Sequence, residues 1–153
     1  GNIDNMATTY YADVKTWLSN DGYVDYIMPQ IYFGMEHESW SFSYTYNRWV
    51  SVIKNDKIKF MPGITFSKAI DGMNGVGDQY AGSGQNEWIQ NKDVMKKCLE
   101  FAVKQERFDG FALFSYTELW GATSGRFNSL ISEEVNNSKV YFTDIIKGEV
   151  IKY

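Results

Sequence analysis

Residues Tyr23–Phe33 read YVDYIMPQIYF. Apolar side chains run through this stretch almost without a break, where a half-exposed strand would alternate them with polar ones. A strand of this kind is predicted to be covered on both faces, as in parallel α/β sheets. Two other stretches share the character: Ile58–Phe66, IKFMPGITF, and Phe108–Tyr116, FDGFALFSY. The chain's two prolines, Pro29 and Pro62, fall inside the first two runs. Proline has no N–H for a ladder, so within a strand it marks an edge, a start or a bulge. Two strands interrupted in this way predict bulged strand ends beside a site.

Helical patterns surround these runs. Thr9 is predicted to cap a helix with Val14, Trp17 and Leu18 on one face, ended by Gly22. The strongest helical signal is Glu87–Gln105, where Met95, Leu99, Ala102 and Val103 form an apolar stripe. A shorter helix is predicted over Arg126–Val135, with Phe127, Leu130 and Ile131 together. The segment Trp40–Tyr46, WSFSYTY, alternates as a strand would, yet Trp49, Val50 and Ile53 follow at helical spacing. The adopted reading is a loop through Phe42 and a helix from about Tyr44 to Lys54.

The order α-β-α-β-α-β-α implies parallel β/α units joined by right-handed crossovers. Three units are too few for a closed (β/α)8 TIM barrel, which needs roughly 250 residues and eight strands. The 153-residue chain is therefore either a small three-stranded α/β domain or the C-terminal part of a larger barrel. The body is expected over residues 1–137. The tail 138–153 carries Val140, Phe142, Ile145, Ile146, Val150 and Ile151, and is expected to pack on the body or beyond it. Three parallel strands leave two unpaired edges. These are expected to be covered by the tail, by a second copy in a homodimer, or by a domain swap.

Composition narrows the function. The hydrophobic content of 44% and charged content of 22% predict a chain with a core, and an aromatic content of 17% is rich for one domain. The net charge is −4 and no basic patch or stripe is visible, so no nucleic-acid partner is expected. No apolar run is long enough for membrane insertion as a helix. His37 and Cys98 are the sole residues of their types. That excludes an intrachain disulfide, a dithiol pair and a four-ligand zinc site of cysteines and histidines. No metal and no cofactor is predicted. One His-dependent triad is the most the chain could hold, and no Ser or Cys context supports it. The opening Gly1-Asn2 reads as an expression scar or an internal cut, so any targeting signal is expected upstream.

In α/β sheets and barrels, ligands meet the carboxyl ends of the strands. The first run ends in Gln30 and Tyr32, the second is followed by Lys68 and Asp71, and the third by Ser115, Tyr116, Glu118 and Trp120. Amide, phenol, ammonium, carboxylate and indole groups thus converge on one face. Such groups suit a saccharide, because aromatic rings cover C–H faces while polar groups satisfy hydroxyls. Glu118 is the candidate catalytic carboxylate, and its plain alternative is a loop acid. Lys68 either contacts the ligand or pairs with Asp71.

Other polar residues read as structural. Glu36-His37-Glu38 is read as a solvated loop and lacks metal-ligand spacing. Glu87 suits a helix start, and Trp88 is read as a loop staple. Asp71–Gly84 is glycine-rich but lacks the Gly-Lys-Ser/Thr ending of a phosphate loop, so a rim loop is expected. Cys98 is read as inert core.

These motifs also occur together elsewhere. VDYIMPQIYFG, a helix centred on Trp49, MPGITFSKAID, NEWIQNKDVMKKCLEFA and FDGFALFSYTELWG resemble, in order and spacing, the C-terminal half of a glycosyl-hydrolase-like family 10 barrel. The likeness spans roughly residues 10 to 121. It departs at Phe66-Ser67-Lys68, where the family more often has Leu-Tyr-Lys. The resemblance implies strands six to eight of a TIM barrel in a bacterial protein, secreted or on the cell surface. It implies an oligo- or polysaccharide ligand contacting Gln30, Tyr32, Lys68, Asp71, Tyr116 and Trp120. Glycoside hydrolysis needs two placed carboxyl groups, and the resemblance implies that the general acid lies upstream of Gly1. The alternative is a non-catalytic carbohydrate-binding or scaffold module.

Overall fold

A computed structural model describes residues 3–120 and 129–142. The chain opens with two single helical turns, α1 (Met6–Thr9) and α2 (Val14–Trp17), with Tyr11 at φ 53° between them. The cap of α2 is Asp13 rather than Thr9. Its carboxylate accepts from the Thr16 N–H at 3.2 Å and the Thr16 hydroxyl at 2.7 Å. Asp accepts from the N3 donor as well as Thr does, and here it stands one turn nearer the apolar face.

The remaining elements are β1 (Tyr26–Ile27), α3 (Phe42–Val52), β2 (Lys59–Phe60), β3 (Gly63–Ile64), α4 (Ser67–Met73), α5 (Glu87–Gln90), α6 (Val94–Ala102), β4 (Ala112–Leu113), α7 (Tyr116–Trp120) and α8 (Ser132–Ser138). The class is α/β. The described residues form two small parallel sheets, β1–β2 and β3–β4, and close no barrel.

Backbone bonds link the two sheets into three parallel paths. Met61 N–H donates to Ile27 O at 3.1 Å and Gly63 N–H to Pro29 O at 2.8 Å. Ala112 N–H donates to Pro62 O at 3.0 Å and Phe114 N–H to Ile64 O at 2.9 Å. A bridge at Gln30–Gly63 carries the first path into the second. Each proline carbonyl accepts a ladder bond, but neither ring nitrogen returns one. Regular pairing therefore breaks into two-residue pieces, much shorter than the apolar runs.

The register sorts the side chains into two faces. Ile27 and Phe60 stand opposite each other, as do Ile64 and Leu113. With Ile31 they face α3 and α6, and Ile31, Phe60 and Ile64 are buried. Tyr46 of α3 packs edge-on against Phe60 at 4.8 Å and against Phe101 at 5.5 Å. Its hydroxyl donates to Arg107 O at 2.6 Å. Burial, with Asp109 nearby, pushes the Tyr46 phenol up to about 12. The opposite face holds Tyr26, Met28, Gln30 and Phe114, all exposed. Strands covered on both faces were expected; among the described residues nothing covers this second face.

The helices differ from expectation in three places. The segment 40–46 resolves as helix: Ser41 caps α3 by accepting from Tyr44 N–H at 3.3 Å. Phe42, Thr45, Tyr46 and Trp49 then share the buried stripe, so the 3.6-residue period overrides the apparent alternation. The long helix predicted over 87–105 is two helices. Asn91 turns extended and its side chain donates back to Glu87 O at 3.0 Å, which closes α5. Val103, expected on the buried stripe, lies past the end of α6 and is exposed. The third difference is α8, which runs Ser132–Ser138, later than the predicted 126–135; residues 126–128 lie outside the described residues.

One buried carboxylate ties α8 to α6. Glu134 accepts from Met95 N–H at 2.5 Å, at the first turn of α6. Four N–H groups there have no partner within the helix, and Glu134 serves this end from another element. Burial pushes its carboxyl up to about 7, against the opposing pull of the Met95 and Val94 N–H groups. Lys139–Phe142 continues α8 as a 3-10 turn, and the tail from 143 lies outside the described residues.

Candidate functional site

Two loops are locked together beside the strand carboxyl ends. Residues 34–36 wrap onto Glu87, whose carboxylate accepts from Met35 N–H at 2.9 Å and Glu36 N–H at 3.0 Å. A Cβ at Gly34 would stand 1.9 Å from the Glu87 carboxylate, so a larger residue there would displace that side chain from its two N–H donors. Burial raises the Glu87 carboxyl above its ordinary value. Further along, Glu38 N–H donates to Ala81 O at 3.0 Å and Ser83 N–H to the Glu38 carboxylate at 2.9 Å. The loop after β1 and the loop after α4 therefore form one unit. Trp88 lies buried beneath it, where Gly72 of α4 meets the Trp88 backbone so closely that a Cβ would stand 2.3 Å from its carbonyl.

On this platform Glu118 draws the strand ends together. Its Oε2 accepts from Thr65 Oγ1 at 2.7 Å, Phe66 N–H at 3.1 Å and Ser115 N–H at 3.2 Å. The donors come from the ends of two neighbouring strands, so the carboxylate is a clasp as well as a candidate ligand group. All three meet Oε2; among the described residues none meets Oε1. Tyr32 stacks near Phe114, ring centroids 6.3 Å apart and planes 22° from parallel. Burial, and after it the Glu118 charge, raises the Tyr32 phenol above its ordinary value. Phe114 and Tyr116 project into solvent, 60% and 67% exposed.

Lys68, in the first turn of α4, has a partner that the sequence reading missed. Its ammonium lies 3.2 Å from the carboxylate of Asp78, and their side chains are 28% and 5% exposed. Asp71, the expected partner, is exposed on α4. His37 is buried, contrary to the solvated loop expected. Its Nδ1 accepts from Trp40 N–H at 3.1 Å and its ring meets Phe33 edge-on at 5.0 Å. Burial, despite the nearby Asp78 carboxylate, holds the imidazole below its ordinary pKa.

The structure therefore brings Tyr32, Glu118 and the strand ends together, with Lys68 in the helix that leaves β3. Gln30 sits on the open sheet face, two residues before Tyr32. Tyr116 flanks the site at the start of α7, and the Trp120 side chain lies outside the described residues. Thr65, Phe114 and Asp78 escaped the sequence reading. Thr65 and Phe114 could have been found by aligning the strands in register with Tyr32. Asp78 offers no local signal, because it reaches back to Lys68 from the loop beyond the end of α4.

The shape is a shallow face, since behind Tyr32 and Thr65 the interior closes to a gap of about 10 Å³. A larger cleft of about 770 Å³ lies at the amino ends, lined by Tyr46, Asp56, Lys59, Arg107 and Asp109 among others. Three of its charged side chains are engaged in the fold: Arg107 pairs with Asp56, and Asp109 accepts from Phe60 N–H at 2.9 Å. Among the described residues no cluster of three His, Cys, Asp or Glu could hold a metal, and no helix is long and apolar enough to cross a membrane. Cys98 is buried, and burial drives its thiol well above the ordinary value. No protein-family model and no curated protein matches the chain.

Proposed function

We propose that the chain is the C-terminal β/α portion of a TIM-barrel glycoside-hydrolase-like protein and that its strand carboxyl ends bind a polysaccharide. The observation that carries this reading is the Tyr32–Phe114 stack beside the anchored Glu118 carboxylate. Stacked, partly exposed rings offer a flat apolar surface to a pyranose, and an oriented carboxylate oxygen accepts from its hydroxyls. The apolar second face of the parallel sheet supports the barrel half of the proposal, because parallel sheets are ordinarily covered on both sides. In this reading further strands complete the barrel and supply the general acid, and the protein acts outside the cell or at its surface.

One observation favours binding without hydrolysis as a second reading. Glu118 receives three hydrogen bonds on one oxygen, an arrangement suited to a fixed acceptor. Calorimetric titration with glucan, mannan, xylan and chitin oligosaccharides tests the core of the proposal. Saturable binding to one of them, weakened about tenfold or more by Phe114→Ala, is expected. Absence of saturable binding across the panel would sink it. Release of reducing ends by the chain, abolished in Glu118→Gln, would favour hydrolysis; binding without release would favour the second reading.

A further inference from the structure

The segments leaving the strand carboxyl ends are 30–41, 65–86 and 114–120. Together they carry five carboxylates, Glu36, Glu38, Asp71, Asp78 and Glu118, against one cation, Lys68. One positive and five negative charges leave this end at −4, which is also the net charge of the whole chain. The remainder, with 14 basic and 14 acidic residues, balances to zero. Among the described residues the strand carboxyl ends therefore carry a net negative charge, to which Glu87, bonded to Met35 N–H and Glu36 N–H, adds a further carboxylate.

The single cation is already compensated. Lys68 lies 3.2 Å from the Asp78 carboxylate, which is buried and so poorly screened by solvent. His37 adds no charge to help it, because its Nδ1 is occupied as an acceptor for Trp40 N–H and its ring is buried. Glu118 is held by a hydroxyl and two backbone N–H groups, all neutral. Outside these segments Lys97 interacts electrostatically with Glu36 but is paired with Asp93 at 2.9 Å, so among the described residues an acidic ligand group arriving at this face would meet a net excess of carboxylate. A neutral sugar would still find ring faces, the carboxylate as acceptor, and those ammonium hydrogens of Lys68 that Asp78 does not engage.

We infer that this face selects uncharged saccharides and rejects glycans bearing carboxylate, sulfate or phosphate. The inference rests on the carbohydrate reading above and narrows its ligand class. It is tested with the full chain by titrating glucan and mannan hexasaccharides and their C6-oxidised, uronate-containing counterparts, in 20 mM and 500 mM NaCl. The neutral member of a pair is expected to bind at least about tenfold more tightly at low salt, the size expected of charges a few ångström apart near a surface. The gap should narrow at high salt. It should also narrow in Glu36→Gln/Asp71→Asn, which alters two exposed side chains and preserves the fold by circular dichroism. Uronate binding as tight as neutral binding would overturn the inference and leave the carbohydrate reading standing. A gap that persists undiminished at 500 mM NaCl would also overturn it, because steric exclusion would then be responsible. Failure of every saccharide to bind would overturn the carbohydrate reading and this inference together.

Discussion

The two faces of the layer formed by the two small parallel sheets are built from the same apolar vocabulary and meet opposite fates. On one face Ile31, Phe60 and Ile64 are sealed beneath α3 and α6. On the other, Tyr26, Met28 and Phe114 stand in contact with solvent, with Tyr26 52% exposed. Side-chain chemistry therefore does not decide burial; the availability of a covering layer does. The sealed face supplies the stability of the described body. The open face costs it little, and at its carboxyl end becomes the aromatic surface proposed to take a glycan.

The largest expected contrast comes from truncating one side chain on each face. Phe60→Ala should destabilise by about 3–5 kcal/mol, the usual range for a buried aromatic. Met28→Ala should cost less than about 0.5 kcal/mol, with both values read by urea unfolding. A Met28→Ala cost close to that of Phe60→Ala would show that the second face is covered after all.

A comparable effect is expected in the helical layer behind the sealed face. Glu134 has a carboxyl raised from its ordinary 4.5 to about 7 in the folded chain. The folded state therefore holds a proton that the unfolded state has released between those values. Its contribution to stability is fully present below about pH 4.5 and is lost as pH rises through 7. The loss amounts to about 3 kcal/mol. Glu134→Gln should flatten this part of the stability–pH curve measured by urea unfolding. An unchanged slope in the variant would assign the dependence to another group.

Smaller effects follow at the loops and the aromatic surface. Gly72→Ala forces a Cβ against the Trp88 carbonyl and should cost about 1–3 kcal/mol, as overpacking does, read as a lowered melting temperature. A neutral outcome would mean that α4 and α5 move apart freely. Phe114→Ala should change stability by less than about 0.5 kcal/mol while weakening saccharide binding. Equal losses in both would return Phe114 to the core and undo the distinction between the faces.

Much of this was legible along the chain. Three apolar runs marked three parallel paths, and the two prolines marked where their pairing breaks. The stripe of Met95, Leu99 and Ala102 located α6. Other features depended on residues far apart in sequence. The 87–105 helix looked continuous because periodicity does not register the bond by which Asn91 ends α5. His37 looked solvated because its burial comes from packing with Phe33 and from the loop clamped by Glu38, Ala81 and Ser83. Lys68 appeared matched to Asp71, at the spacing that makes neighbours on a helix, while Asp78 arrived from the far side of a loop.

By itself, then, the sequence determined the α/β class, the parallel direction of the strands and the position of Tyr32, Lys68, Tyr116 and Glu118 in the segments that follow them. These follow from local periodicity and from the rule that parallel strands connected by helices share one direction. Tertiary structure alone decided which sheet face is sealed, which oxygen of Glu118 is held, and which carboxylate neutralises Lys68. Each of those depends on groups brought together across tens of residues of chain or a turning loop. Hydrogen bonds and ion pairs act over a few ångström in space and carry no signature in residue spacing.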